Sequence, residues 1–430
     1  MTVQPSISFQ ILDKLWRLNR IFCSSDYDAS LDYLQHFLPF KIHEYRSKEP
    51  YKGWVIPPKW DLIKATINFK GKAIYEVDHP LKIIGLSKSF KGTVSLEELK
   101  LHLHYDHRNP NHIPYHFRQH YRPWEREWGF CVTQQFYDSL QNGMYDVDIV
   151  TDESEGYLKV AEYVKEGSNP ESFAFVAHLD HPGMCNDDLS GVAVGVELFH
   201  RLSQIETKFS YRLVLVQEII GSVHYLDKAL GKNSNVLEAC FIEMLGTKTE
   251  LALQNSRHGK TYLEKTLEKT ILDKKITFHQ GPFRTIVSND EAVWESHGIP
   301  MSSLARFPYP EYHSDKDNMS IMFEDQLKEV VTLLYDSLMN LEKGTLLKKK
   351  FEGVYSLAHP SYNLYIDPGQ PAFRNLATAP GTKLRGLMDE MSLLPSVCFV
   401  ETISSDLELP VESVLEYLRQ WEEKGLISLI

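Results

Sequence analysis

One stretch constrains this chain more than any other: Phe173–Gly191, FAFVAHLDHPGMCNDDLSG. Its opening run, Phe173-Ala174-Phe175-Val176-Ala177, is apolar and has the length of a buried strand. His178 stands where that strand would end. Asp180 follows, then a Pro-Gly turn, then Asn186-Asp187-Asp188. Ser190 can cap the next helix, whose apolar face is Val192, Val194, Val196, Leu198 and Phe199. An imidazole and several carboxylates thus gather at the carboxyl end of a strand, where sites form in open α/β sheets. A His and an Asp separated by a loop can bind a cation such as zinc. Asp180 is placed to accept the second ring N–H of His178 and fix its tautomer. Taken alone, His178 is more simply a satisfied histidine at a strand edge; the whole stretch reverses that reading.

From about residue 131 to 345 strands and helices alternate. Tyr211–Glu218 is a strand ending in Glu218, and Gly221-Ser222 opens a helix after it. Ala239–Gly246 is a strand carrying one charge, Glu243. Tyr262–Lys274 is an amphipathic helix, and Ser288-Asn289-Asp290-Glu291 caps another that Gly298 ends. The strand Met301–Ala305 leads to the loop Pro310–Asp317, with Tyr312 and His313, and a last helix runs roughly Phe323–Leu341. Such alternation predicts an α/β fold, a mostly parallel sheet flanked by helices on both faces. His178, Asp187, Glu218, Glu243 and His313 then converge on one sheet edge. Uncompensated carboxylates there would repel, and a divalent cation removes that cost.

The remainder reads as further modules. Residues 1–45 are helical by periodicity, and 46–130 hold short alternating runs separated by Gly, Lys and Pro turns, a small β domain. Phe69-Lys70-Gly71-Lys72-Ala73 is a hairpin turn. Residues 99–121 carry His102, His104, His107, His112, His116 and His120. They suit a solvated loop better than a metal cluster, or a loop that overhangs the site and shapes its pocket. Residues 346–380 read as a linker and 381–430 as a winged-helix-like module. Its third helix carries Glu412, Glu416, Glu422 and Glu423 against Arg419 and Lys424, which repels phosphates. Packing or homo-oligomerisation suits it better than DNA reading.

A formal net charge of −12 also argues against a nucleic-acid partner. No run of eighteen apolar residues predicts a membrane span, and Met1–Arg20 lacks the apolar core of a signal peptide. Five scattered cysteines without a CxxC fit a reducing compartment. The expectation is a cytoplasmic protein. Cys185, inside the key stretch, reads as structural.

The stretch resembles the M28 zinc aminopeptidase family, whose members carry His-x-Asp after a strand and Asn-Asp-x-x-Ser-Gly opening a helix. Here these are His178-Leu179-Asp180 and Asn186-Asp187-Asp188-Leu189-Ser190-Gly191. More narrowly, the chain is similar to bacterial aminopeptidase-like proteins with an inserted N-terminal domain and a C-terminal winged helix. Gly53-Trp54-Val55, Val94–Leu99 and Ile113-Pro114-Tyr115 match within the insertion, and Trp128–Cys131 marks the return to the main domain. The resemblance implies a peptidase-like domain of residues 1–45 and 131–345 around an inserted domain of 46–130.

It also implies roles. His178, Asp187 and Glu243 match the ligands of one zinc; Asp187, Glu218 and His313 match those of a second. The family has two consecutive glutamates, the first a general base, where this chain has Gln217-Glu218. Gln cannot accept a proton at neutral pH. The preferred expectation is therefore one zinc on His178, Asp187 and His313, with Glu218 as general base toward a zinc-activated water. Asp290 and Glu291 are candidates to hold a substrate's free amine, and Tyr312 to stabilise an oxyanion. Arg284 and Arg306 could bind a substrate carboxylate, though single arginines are more simply structural. The function expected is a zinc-dependent aminopeptidase acting on short peptides. A zinc amidase, deacylase or glutaminyl-cyclase-like enzyme is the first alternative. A non-catalytic binding protein on the same fold is the second.

Overall fold

The apolar run that opens the key stretch lies in the middle of an eight-stranded sheet. The computed structural model describes residues 5–47, 50–231, 234–366 and 380–430. In it, Ser172–His178 pairs in parallel with Ser210–Val216 on one side and Val236–Glu243 on the other. Val236–Glu243 pairs in parallel with Met301–Ala305. Tyr157–Lys165 lies antiparallel against Ser210–Val216, and Lys41–Arg46 antiparallel against Tyr157–Lys165. Beyond Met301–Ala305 come Leu251–Gln254, antiparallel, and Phe278–Gly281 at the other edge. The chain leaves Ser172–His178 first to one side and later to the other. The carboxyl end of that strand is therefore a topological switch point, where a crevice opens.

Every residue of Ser172–His178 is buried, as a strand covered on both faces must be. Alternation sorts its side chains. Ala174 and Val176 pack with Tyr225, Phe241, Trp294 and Met301. Phe175 turns the other way, against Phe199 of the helix Gly191–Leu202. Gly191 is required where this helix meets the sheet: a Cβ there would lie 2.1 Å from the Ile242 carbonyl oxygen.

A buried cluster on Tyr157–Lys165 carries its own pH signature. Glu162 accepts from Tyr225 Oη at 2.6 Å and Arg212 Nη1 at 2.6 Å, and lies 2.9 Å from His43 Nε2. Burial pushes its carboxyl up, but these partners overcome that and hold it at about 2, below the ordinary 4.5. A depressed carboxyl stabilises the fold above pH 4.5, and that contribution, about 3 kcal/mol, is lost as the pH falls toward 2. Acid unfolding followed by circular dichroism should therefore be shallower over this window in Glu162→Gln than in wild type. Equal slopes would remove this account.

The N-terminal insertion is a four-stranded antiparallel sheet, in the order Lys72–Glu76, Lys59–Phe69, Met144–Ser154, Phe90–Ser95. The expected hairpin at Lys70-Gly71 is present, both residues at positive φ, +51° and +78°. Trp60, Ile67, Val94, Phe130 and Val147 share one core beneath this sheet. Its last strand, Met144–Ser154, lies beyond residue 130, so the chain re-enters the large sheet only at Tyr157–Lys165.

Residues 260–266 and 337–430 form a second compact unit. Within it Leu346–Lys349 is the central strand of a three-stranded sheet, between Val397–Phe399 and Ile427–Leu429. The expected linker thus begins as a strand. Phe351 and Leu364 are also buried, and residues 367–379 of that segment lie outside the described residues. The helices Pro380–Glu390, Val400–Leu407 and Val411–Glu423 complete the unit. Leu418 and Trp421 enter its core with Val414 and Tyr417, and Gly425 follows the last helix at φ +72°.

Candidate metal centre

The strand stays in the ladder through His178, whose partner across the sheet is Val216. Parity places His178 on the face of Ala174 and Val176, so its ring packs on Phe241, 4.6 Å between centroids. Its Nε2 lies 2.7 Å from Asp290 Oδ2. Burial works against protonation, but Asp290 outweighs it, and the imidazole is held well above its ordinary value. A protonated imidazole is no metal ligand. The expected ligand His178 thus pairs with Asp290 and is not in the group that His181, Asp187 and His313 form.

The next histidine lies nearer the carboxylates of the crevice. After Leu179 the chain leaves the sheet, and His181 Nε2 comes to 3.7 Å from Asp187 Oδ2 and 4.0 Å from Glu218 Oε2. His313 Nε2 lies 3.0 Å from the same Asp187 oxygen. His181, Asp187 and His313 form the one group among the described residues whose metal-ligating atoms lie within 4.8 Å of one another. His181 had no signal from strand periodicity. The available cue was that a residue past the strand end is free to turn into the crevice.

Two buried groups build the loops that carry these side chains. The Arg20 guanidinium donates to the carbonyls of Leu179, His181 and Met184, at 3.2, 2.6 and 2.8 Å, and to that of Leu15. It fixes the path of residues 179–184 from beneath. Asp317 gathers the next turn: Oδ1 accepts from the backbone N–H of Cys185 and Asn186, and Oδ2 from Asp187 N–H and Tyr309 Oη. Asp188 spans two strand ends, accepting from His178 N–H and Met244 N–H. Ser190 does not cap its helix. Its hydroxyl donates to Asn186 O and accepts from Leu245 N–H.

Glu218 is aimed by a strained turn. Ile219 sits at φ +60°, ψ −61°, an uncommon conformation for a β-branched residue, and Ile220 N–H closes on Glu218 O at 2.6 Å. Asp290 Oδ2 accepts from Ile219 N–H and Asp180 Oδ1 from Glu218 N–H. The Glu218 carboxylate accepts from Tyr121 Oη at 2.8 Å, and burial raises its carboxyl. Gln217 points elsewhere: its amide donates to Lys159 O on the neighbouring strand. The side chain at 217 is thus outside the crevice.

The remaining expected residues divide. Asp180 does not orient His178. Its nearest imidazole is that of His181, 3.8 Å from Nδ1, beyond hydrogen-bond reach. Burial raises the Asp180 carboxyl to about 8. Glu243 accepts from Asn289 Nδ2, on the face of Phe241, and is not in the His181 group. Burial, Glu291 and Asp188 all push its carboxyl up. Both Glu291 oxygens have partners, accepting from Gln254, Ser303 and Asn289 N–H. It has no free oxygen for a substrate amine. Tyr312 stacks on His313, with centroids 3.8 Å apart, and keeps 38% of its surface exposed.

The insertion closes one side, as the overhanging reading of residues 99–121 allows. Tyr115 N–H donates to His313 O at 2.9 Å, and the Tyr115 ring meets both His181 and His313. Phe117 packs edge-on to His313. His104 and His116 face each other at 4.4 Å, but among the described residues the His-rich segment forms no three-ligand group.

These residues fit a zinc ion. Zinc–ligand bonds of about 2.1 Å at tetrahedral angles set ligand atoms roughly 3.4 Å apart, close to the spacings here. Asp187 Oδ2 is buried without a hydrogen bond, although two imidazoles face it. Ligands must be deprotonated, and the shifts at both buried groups run in that direction. Burial raises the Asp187 carboxyl, but His181 and His313 bring it to about 2. Burial lowers His181 to about 3. Two histidines, one carboxylate and an adjacent glutamate match the donor set of catalytic zinc.

Comparison with known proteins agrees with this architecture. A family model described as "Domain of unknown function (DUF4910)" matches residues 9–344. A Clostridium acetobutylicum protein, named for polysaccharide biosynthesis and an aminopeptidase-like domain, is 28% identical over 342 residues, 78% of each chain. A crystal structure of a protein from Clostridium acetobutylicum, named as a peptidase, superposes with a TM-score of 0.75 at 23% identity, covering 98% of this chain and 96% of that one. A zinc aminopeptidase from Bacillus subtilis superposes at 0.58 with 14% identity, covering 79% of this chain and 96% of its own. The chain has the aminopeptidase-like fold.

Proposed function

As the chain belongs to the family described as domain of unknown function DUF4910, we propose that it is a zinc-dependent hydrolase of amide bonds, most simply an aminopeptidase on short peptides. One observation carries this reading. Two imidazole nitrogens and a carboxylate oxygen that lacks any hydrogen bond converge beside Glu218 at a sheet switch point. His181, Asp187 and His313 would hold one zinc, which when bound supplies a Lewis acid able to polarise a carbonyl and acidify water. Glu218 takes the proton of the attacking water and later returns it to the leaving amine. Tyr121 holds the Glu218 carboxylate in place. Tyr115 and Phe117 shield the reacting atoms from bulk water, and Tyr312 is the candidate oxyanion donor. Asp290 is assigned to pairing with His178 rather than to the substrate.

The Clostridium relative is named for polysaccharide biosynthesis, and as a second substrate class we propose an N-acyl sugar cleaved by the same groups. Among the described residues no helix is long and apolar enough to cross a membrane. A cytoplasmic location and a winged-helix-like tail used for packing or self-association complete the proposal. The test is hydrolysis of short peptides and N-acetylated sugars by zinc-loaded protein, before and after chelation. We expect cleavage of one class, lost on chelation and restored by zinc. Cleavage that survives complete zinc removal, or none with either class, would overturn the reading.

A further inference from the structure

A cleft of about 230 Å³ shares a wall with the candidate metal centre. Tyr312 belongs to both: it lines the cleft and stacks on His313. Asn289, also in the lining, donates to Glu243. Phe307, Ile286 and Val287 supply apolar surface, and no acidic residue lines the cleft. This is notable in a chain of net charge −12.

Its one cation is Arg284. The guanidinium is exposed and donates from Nε, at 2.8 Å, and from Nη2 to the Ser288 hydroxyl. No carboxylate among the described residues pairs with it, whereas Arg306 is paired with Glu329. Arg284 also adopts φ +57°, which a non-glycine residue holds only when its surroundings enforce it. Gln254 does so: its Oε1 accepts from the backbone N–H of Ile286 and Val287, while its amide is anchored on Glu291. Glu291 therefore builds the loop that presents Arg284.

We propose that this cleft is a substrate subsite for a carboxylate, held by Arg284 against the apolar side of Tyr312 and Phe307. The assignment rests on the amide-hydrolase reading and narrows it to substrates bearing a carboxylate near the scissile bond. That carboxylate is either the C-terminal group of a very short peptide or an acidic side chain. A planar guanidinium matches a carboxylate through two parallel N–H donors, and a neutral carboxamide cannot replace it.

Binding decides the matter without turnover. Calorimetry with zinc-loaded wild type and Arg284→Met would compare N-acetylleucine with its carboxamide, and a glutamic acid derivative blocked at both backbone ends with its glutamine counterpart. Arg284 is exposed, so folding should be unaffected. We expect one carboxylate ligand to bind wild type about 10- to 100-fold more tightly than its amide, and Arg284→Met to erase that difference. The pair that discriminates identifies the carboxylate's source. Equal affinities, no measurable binding, or a preference that survives Arg284→Met but disappears on chelation would overturn the proposal. The last outcome would place the carboxylate on the metal. Should no amide be hydrolysed while the carboxylate preference holds, the hydrolase reading fails and the anion site stands.

Discussion

His181→Ala will abolish stoichiometric zinc binding and reduce hydrolysis to background, whereas His178→Ala will keep the zinc. The two histidines are three residues apart and equally buried, so composition and exposure do not separate them. Geometry does. His181 Nε2 faces the Asp187 oxygen that His313 also faces, and burial keeps its imidazole neutral and able to ligate. His178 Nε2 is engaged by Asp290, 2.7 Å away, which pushes its imidazole well above the ordinary value. Removing His178 leaves the Asp290 carboxylate buried without its cation, at a cost of about 3–5 kcal/mol to the fold. The expected signature is a lower melting temperature with metal retained for His178→Ala, and lost metal in folded protein for His181→Ala. Zinc per chain by mass spectrometry, read beside circular dichroism, distinguishes them. Retention of zinc by His181→Ala would sink the proposed ligand set.

Glu218→Gln should lower kcat by about 10²- to 10⁴-fold while leaving zinc bound. Gln preserves the size of the side chain and can still accept from Tyr121, so the turn at Ile219 should survive. It cannot accept the proton of water. The pH profile adds a second readout. Only the ionised form is a base, so kcat/KM should rise with pH as Glu218 ionises, and Glu218→Gln should lose that limb. Tyr121→Phe removes one hydrogen bond to the carboxylate and should shift the limb upward with a smaller loss of rate, because that bond favours the ionised form. A Glu218→Gln variant with wild-type activity and an unchanged limb would remove Glu218 from the chemistry.

Much of this was legible in the chain itself, because strand burial and period-2 alternation are local properties. The run Phe173–Ala177 has the length and continuous apolarity of a buried strand, and Glu218 and Glu243 stand at or beside the carboxyl ends of its neighbours. The loop carrying His313 and the Asn186–Gly191 turn were likewise placed by their flanking elements. The departure at Gln217 was legible as chemistry, but its consequence was not. The side chain donates to Lys159 O on the neighbouring strand, a partner that no local pattern identifies.

What only the tertiary structure decided were choices between groups of the same kind. His178 and His181 differ by whether the ladder still holds the residue, and that depends on the partner strand, not on the local sequence. Glu291 carries the charge a substrate amine would need, yet both of its oxygens are turned to Gln254, Ser303 and Asn289. Arg20 and Asp317 lie far from the key stretch in sequence and build its loops through backbone hydrogen bonds, which leave no mark in residue type. Leu346–Lys349 resembles a linker until two distant strands pair with it. Sequence alone specified the main strands and the chemical types at their carboxyl ends, since those follow from apolar pattern and length. Which histidine, which carboxylate and which arginine face the crevice followed from long-range pairing, because a side chain's direction is set by the backbone it is bonded against.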